Sequence, residues 1–120
     1  MILSDRSAAA MGALRILSAS DRETHGSVSK RIGRSLRYAQ EVCTALTRAK
    51  VTKSTLGRPN GGVKLQRDLA TLRLREVVVA VDGSIHHCPI GPEHCTEAKP
   101  CRLYRHVLDA LSLTVAEVFS

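Results

Sequence analysis

The stretch of the chain that decides its fold runs from residue 33 to residue 65 and reads GRSLRYAQEVCTALTRAKVTKSTLGRPNGGVKL. After a glycine turn, Ser35 is a good N-cap for a helix that extends to about Lys50. Four apolar residues of this helix recur at positions i, i+3, i+4 and i+7 and are expected to face inward: Ala39, Val42, Cys43 and Leu46. A short helix, a glycine turn and a longer helix with a polar outer face are typical of a helix-turn-helix, although a plain helical hairpin gives the same pattern.

The second half of the same stretch predicts a β-hairpin. Two short β-prone runs, residues 51–55 and 63–65, flank a loop rich in glycine, proline and asparagine. The hairpin carries Lys53, Arg58 and Lys64, and its glycines let the backbone approach phosphates closely. A basic hairpin directly after a helix-turn-helix is typical of a winged helix that binds DNA, with Arg58 at the tip placed to enter a minor groove. The alternative is a solvated turn.

The flanking segments predict further helices. Ser4 can cap a helix that runs to about Ser18, and Asp21 or Thr24 can begin a second helix that is broken by Gly33. Residues 72–81 are apolar enough for a helix or for a buried strand. The three valines at 77–79 favour a strand, but a winged-helix domain needs a packing element here, so we predict a helix. The expected fold class is α-rich (α+β).

Composition limits the possible partners. The 120 residues allow one domain with one modest core, and only three residues are aromatic, so the core should be aliphatic. A net charge of +7 favours a polyanionic partner, with nucleic acid first and an acidic membrane surface second. We find no membrane-spanning run and no secretory signal, which predicts a cytoplasmic protein. We also find no convincing nucleophile–base pair or phosphate-binding loop, so an enzyme is not expected.

Three of the four cysteines lie in one short segment, residues 86–106, which reads HHCPIGPEHCTEAKPCRLYRH. Prolines and a glycine between Cys88, Cys95 and Cys101 oppose regular structure, so something must organise this loop. Thiolates are soft ligands that suit zinc or iron–sulfur clusters. Cys43 is separate, because its place on the inner face of a helix predicts a small core residue.

Four interpretations of the cysteine segment remain open at this point. The first is an iron–sulfur cluster held by three thiolates and a fourth ligand that is not a cysteine. The second is zinc bound by three cysteines and one of His87, His94 or His106, although zinc sites usually show a tighter pair of cysteines. The third is a thiol or disulfide switch, and the fourth is that the cysteines are incidental.

The chain resembles the Rrf-type winged-helix iron–sulfur transcriptional regulators, a family with NsrR-, IscR- and RirA-like members. The resemblance runs through the opening residues 1–4, the helix at 35–46, the hairpin at 53–62 and the segment at 72–83. It continues through the three cysteines and the closing residues 113–118. The motif Cys101-Arg102-Leu103 is most similar to NsrR-like members.

This resemblance implies a winged helix-turn-helix over residues 1–83, followed by a cluster-binding loop and a dimerisation segment over residues 84–120. It also implies a homodimer that binds palindromic promoter DNA and acts as a repressor, with one cluster per subunit, [2Fe-2S] or [4Fe-4S], that senses nitric oxide, redox state or iron. By position, Arg58 and Pro59 enter the minor groove, and Lys53 and Lys64 lie within reach of phosphates. Five residues would face the major groove: Ser35, Arg37, Tyr38, Gln40 and Glu41.

The chain also departs from the family pattern. NsrR-like members have an acidic ligand at position 8, which is Ala8 here, and IscR-like members have a histidine where this chain has Tyr104. The candidates for the fourth ligand are therefore His106 and, as an alternative, Asp5. The helix that follows the cysteines, from 102 to about 111, is shorter than the dimerisation helix of the family. A zinc-stabilised structural or protein-interaction module remains the alternative function.

Overall fold

A computed structural model of the chain describes residues 3–55, 61–83 and 102–120. Within the last range, side chains are described from position 106 onward, except at 108. The tip of the predicted hairpin, with Arg58 and Pro59, and the segment with Cys88, Cys95 and Cys101 lie outside the described residues.

Six helices and two strands follow one another in the described ranges. The helices are α1 (Asp5–Ser18), α2 (His25–Ile32), α3 (Leu36–Arg48), α4 (Leu74–Asp82), α5 (Arg102–Leu111) and α6 (Val115–Phe119). The strands β1 (Thr52–Thr55) and β2 (Gly62–Leu65) form an antiparallel hairpin between α3 and α4. The order of elements is that of a winged helix-turn-helix, in which α2 and α3 form the helix-turn-helix and the hairpin forms the wing. No helix of the described ranges is long and apolar enough to span a membrane.

The helix starts are set by local caps that the sequence predicts. Ser4 accepts a hydrogen bond from the backbone of Ser7, and Ser35 accepts one from the backbone of Tyr38. For α2, the structure chooses Thr24 over Asp21 as the cap. Gly33 ends α2 with φ of 69°, a left-handed conformation that glycine adopts without steric cost.

The predicted helix in the valine-rich segment is confirmed. Leu74, Val77, Val78 and Val81 recur at helical spacing, and α4 buries all four of them. Strand propensity of the valines is outweighed because this face packs against α1 and α3. The tertiary environment thus decides between two local conformations that valine tolerates.

One aliphatic core unites the two parts of the chain. Its larger group of buried side chains comes from α1, α3 and α4, together with Val107 and Leu111 of α5 and Val115 of α6. A smaller group joins α1, α2 and α3 to Val63 of the wing. The buried core residues of the described ranges are aliphatic, with Met11 and Cys43 as the only sulfur-containing members. The predicted boundary at residue 83, between a DNA-binding domain and a cluster-binding and dimerisation segment, stays a proposal. Residues on both sides of this boundary contribute to the core.

The wing is held to the rest of the fold by backbone contacts. Val63 exchanges two backbone hydrogen bonds with Glu23, at 3.0 and 2.8 Å, in the linker between α1 and α2. The neighbouring Gly62 has φ of 141°, and a Cβ atom at this position would lie 2.7 Å from the carbonyl oxygen of Glu23. A glycine is therefore required where the wing meets the linker.

Candidate nucleic-acid interface

The outer face of α3 presents polar side chains to solvent, as predicted. Arg37, Gln40 and Glu41 are exposed, and the side chain of Arg37 is 90% exposed. Glu41 pairs with Arg37 at 3.5 Å and with Arg6 of α1 at 3.7 Å. These are exposed ion pairs, which are weak, so both arginines can exchange Glu41 for a phosphate or a base edge.

Ser35 and Tyr38 have structural partners besides any role in binding. Ser35 is exposed, and its hydroxyl oxygen caps α3 by accepting the backbone N–H of Tyr38 at 3.1 Å. The ring of Tyr38 is half-buried against the core, and its hydroxyl donates to Asp5 at 2.7 Å. Tyr38 therefore lies on the flank of α3 that faces α1.

Asp5, in the first turn of α1, connects that helix to the start of α3. One carboxylate oxygen accepts from Nε of Arg34 at 3.0 Å and from the Tyr38 hydroxyl, and the other accepts from Nη2 of Arg34. The bidentate Arg34 contact, together with the Tyr38 hydrogen bond, lowers the pKa of Asp5 from 3.8 to about 2. Burial and the hydrogen bond to Asp5 raise the pKa of Tyr38. Neither Arg34 as a partner of Asp5 nor this three-residue group is predictable from the sequence, because no local pattern links residues that are 29 or 33 positions apart.

A second carboxylate holds the same turn of α1 from the other side. Asp82, the last residue of α4, accepts hydrogen bonds from the hydroxyls of Ser4 at 2.6 Å and Ser7 at 2.8 Å. Ser7 is fully buried, so its hydroxyl depends on this acceptor. In the sequence, three residues separate the end of α4 from the cysteine segment at 86–106. The first turn of α1 therefore connects the end of α4 to the start of α3.

The wing presents two ammonium groups side by side. Lys53 and Lys64 are directly opposite each other in the antiparallel register, and such neighbours project from the same face of a hairpin. Like charges in this arrangement repel unless an anion lies between them, which suits a phosphate. Thr47 of α3 fixes β1 by hydroxyl hydrogen bonds to Thr52 at 2.9 Å and to Ser54 at 3.1 Å. Because successive side chains of a strand point to opposite faces, Lys53 projects from the face of the hairpin opposite to the one that meets α3.

The metal-binding predictions rest mainly on residues outside the described ranges. Cys88, Cys95, Cys101, His87 and His94 all lie there, whereas His106 is exposed on α5. Within the described ranges, no group of three or more His, Cys, Asp or Glu side chains could hold a metal ion. Cys43 is fully buried, as expected, and burial raises the pKa of its thiol to about 11.

Comparisons with known proteins agree with this architecture. The sequence profile of the family described as "Rrf2: Iron-dependent Transcriptional regulator" matches residues 3–120. CymR, the global cysteine regulator of B. subtilis, has a TM-score of 0.77 at 16% identity, over 98% of this chain and 95% of that one. The oxidized form of S. aureus CymR has a TM-score of 0.76 at 16% identity, over 98% and 95% of the two chains.

A third solved structure, T. potens IscR, has a TM-score of 0.71 at 18% identity, over 99% of this chain and 86% of that one. No curated protein matches the chain. At these identities the solved structures establish the winged-helix fold, and the family profile establishes the class of protein.

Proposed function

This chain belongs to the Rrf2 family of transcriptional regulators, and from that premise we propose that it is a repressor whose affinity for promoter DNA is set by an iron–sulfur cluster. It is a DNA-binding regulator and not an enzyme. We infer that the signal sensed by the cluster is nitric oxide, redox state or iron. The observation that carries it is the run of Cys88, Cys95 and Cys101 between two helices that are both anchored in the core of the DNA-binding fold.

The available donors suit a cluster of this kind. Cys88, Cys95 and Cys101 would supply three thiolates, and the exposed imidazole of His106 lies five residues beyond the last of them. Asp5, the other candidate, already accepts three hydrogen bonds from Arg34 and Tyr38, so we favour His106. When bound, such a cluster supplies a centre that reacts with nitric oxide or oxidants at the expense of its thiolate ligands.

The described residues offer a route from the cysteine segment to the DNA. Asp82 precedes the segment by four positions and holds the first turn of α1 through Ser4 and Ser7. The same turn carries Asp5, which holds the start of α3 through Arg34 and Tyr38. We propose that binding or loss of the cluster acts on α1 through these hydrogen bonds and, through α1, on the orientation of α3. Coupling of this kind requires that α1 have two arrangements, one for each state of the cluster.

DNA recognition in this proposal uses α3 and the wing. Arg37, Gln40 and Glu41 would read base edges in the major groove, while Lys53 and Lys64 contact phosphates and Arg58 enters the minor groove. We further propose a homodimer, because two copies of one winged helix recognise the two halves of a palindromic site.

The test is anaerobic purification, followed by an absorption spectrum and by iron and sulfide analysis per subunit. We expect a coloured protein with iron and sulfide, and we expect each of Cys88→Ser, Cys95→Ser and Cys101→Ser to lose iron. Cys43→Ala is the matched control, because its thiol is buried in the core and should leave iron binding unchanged. Full iron loading in any of the three loop variants would remove that cysteine from the site.

Two other functions give different results in the same experiment. A colourless protein that contains zinc would indicate the zinc-stabilised structural or protein-interaction module instead of a cluster-containing regulator. A metal-free protein whose DNA binding falls with an oxidant and recovers with a thiol reductant would indicate a thiol switch. This second function is worth testing because one structural neighbour is the oxidized form of S. aureus CymR.

A further inference from the structure

Leu36, the first residue of α3, is an apolar side chain at the reading end of the recognition helix. It is 48% exposed, and it belongs to neither of the two buried groups that form the core. Single exposed leucines are common on protein surfaces, so exposure alone would mean little. The position of Leu36 suggests a role in DNA contact, because the first turn of a recognition helix is the part that meets base edges.

The neighbours of Leu36 can form hydrogen bonds, whereas Leu36 cannot. Ser35 precedes it as the helix cap, and the almost fully exposed Arg37 follows it. Gln40, four residues further on, lies on the same flank of the helix and is also exposed. Ala39, the other apolar residue of this first turn, is fully buried. Leu36 is therefore the exposed apolar group in a row of polar ones.

The major groove offers one apolar feature for such a group. Each base pair presents hydrogen-bond donors and acceptors there, and only thymine adds a methyl group, at C5. We propose that Leu36 contacts the C5 methyl of a thymine in each half-site and thereby determines specificity at that base pair. This inference rests on the proposed placement of α3 in the major groove.

The test begins with a duplex selected by the full chain from a random-sequence library. Each thymine of the selected duplex is then replaced singly by deoxyuridine, which removes only the methyl group. We expect one such position in each half-site to weaken wild-type binding about fourfold, the equivalent of one methyl group's burial. Leu36→Ala should bind the original duplex more weakly and should not respond to deoxyuridine at that position.

Val79→Ala is the matched control, because Val79 is 45% exposed on α4, outside the proposed interface. This variant should respond to deoxyuridine as the wild type does. The proposal is overturned if no single deoxyuridine weakens the wild type, if Leu36→Ala stays equally sensitive, or if the selected half-sites share no thymine. If the wild type enriches no sequence but binds all duplexes, the groove placement of α3 has failed and Leu36 specificity fails with it. The deoxyuridine measurement on the wild type does not depend on the folding of any variant.

Discussion

At the scale of single residues, Asp5 has an environment that its sequence position does not reveal. It lies in the first turn of a helix, where an acidic residue stabilises the N-terminus by its charge. The structure adds a bidentate contact with Arg34 and a hydrogen bond from Tyr38. Both contacts favour the ionised carboxylate, so Asp5 acts as a positioning residue for the start of α3.

This environment predicts an acid dependence of stability. The pKa of Asp5 is about 2 in the folded protein against an ordinary value of 3.8, so the carboxylate contributes stability above pH 3.8. That contribution is lost as the pH falls from 3.8 through about 2. Asp5→Asn should therefore lose less stability than the wild type over this interval, measured as the free energy of unfolding in urea at several pH values. Asp21→Asn, at an exposed position before α2, is the control and should follow the wild type. Equal acid dependence in Asp5→Asn and the wild type would contradict the assignment.

At the scale of elements, we propose that α3 reads base edges and that the wing positions the protein on phosphates. Arg37 is on the outer face of α3 near its N-terminal end, where side chains meet base edges. Lys53 lies on β1 opposite Lys64, in a pair that suits a phosphate. Hydrogen bonds between the hydroxyl of Thr47 and those of Thr52 and Ser54 hold β1 against α3.

The division predicts different defects for two single substitutions. Arg37→Ala should cost about 1–3 kcal/mol on the selected duplex and relax the preference at one base pair. Lys53→Ala should weaken binding to all sequences alike and lower the slope of log affinity against log salt by about one. The measurement is a titration of each variant against the selected and a scrambled duplex at several salt concentrations. Arg75→Ala, which removes the same charge from an exposed site on α4, is the control. Equal loss on both duplexes for Arg37→Ala would show that Arg37 only positions the protein.

At the scale of the whole molecule, a shared core and backbone hydrogen bonds join the C-terminal helices to the rest of the fold. The C-terminal helices contribute Val107, Leu111 and Val115 to the core that supports α3. Backbone hydrogen bonds from Val115 to Leu72 at 2.7 Å and from Leu74 to Leu113 at 2.8 Å fasten α6 beside the start of α4. The helices on both sides of the cysteine segment are therefore packed against the DNA-binding elements.

The hydrogen bonds from Ser4 and Ser7 to Asp82 predict that Asp82 has a role beyond stability. Asp82→Ala leaves the buried hydroxyl of Ser7 without its acceptor, which should cost about 1–3 kcal/mol of unfolding free energy. If Asp82 also transmits the state of the cysteine segment, the ratio of DNA affinities between iron-loaded and iron-free protein should move toward one. Asp109→Ala, exposed on α5, should keep the wild-type ratio. An unchanged ratio in a destabilised Asp82→Ala would limit Asp82 to a structural role.

The sequence by itself determined most of the helix boundaries and the chemical inventory of the protein. The caps at Ser4 and Ser35, the break at Gly33 and the inward stripe of α3 were all predictable, because they depend on residues three or four positions apart. The cysteine segment could be recognised for a similar reason, since the softness of a thiolate belongs to the residue itself. Its ligands and cofactor stay a proposal.

Only the tertiary structure decided what the long-range polar contacts are. Asp82 meets Ser4 across 78 positions of the chain, and Asp5 meets Tyr38 across 33. No periodicity records such pairs, because they form when packing of the apolar faces brings distant turns together. The same packing made a helix of the valines in α4, where local propensity alone favoured a strand. Local chemistry therefore set the caps of this regulator's first helices, and burial of the shared core decided the conformation of α4 and which polar groups meet.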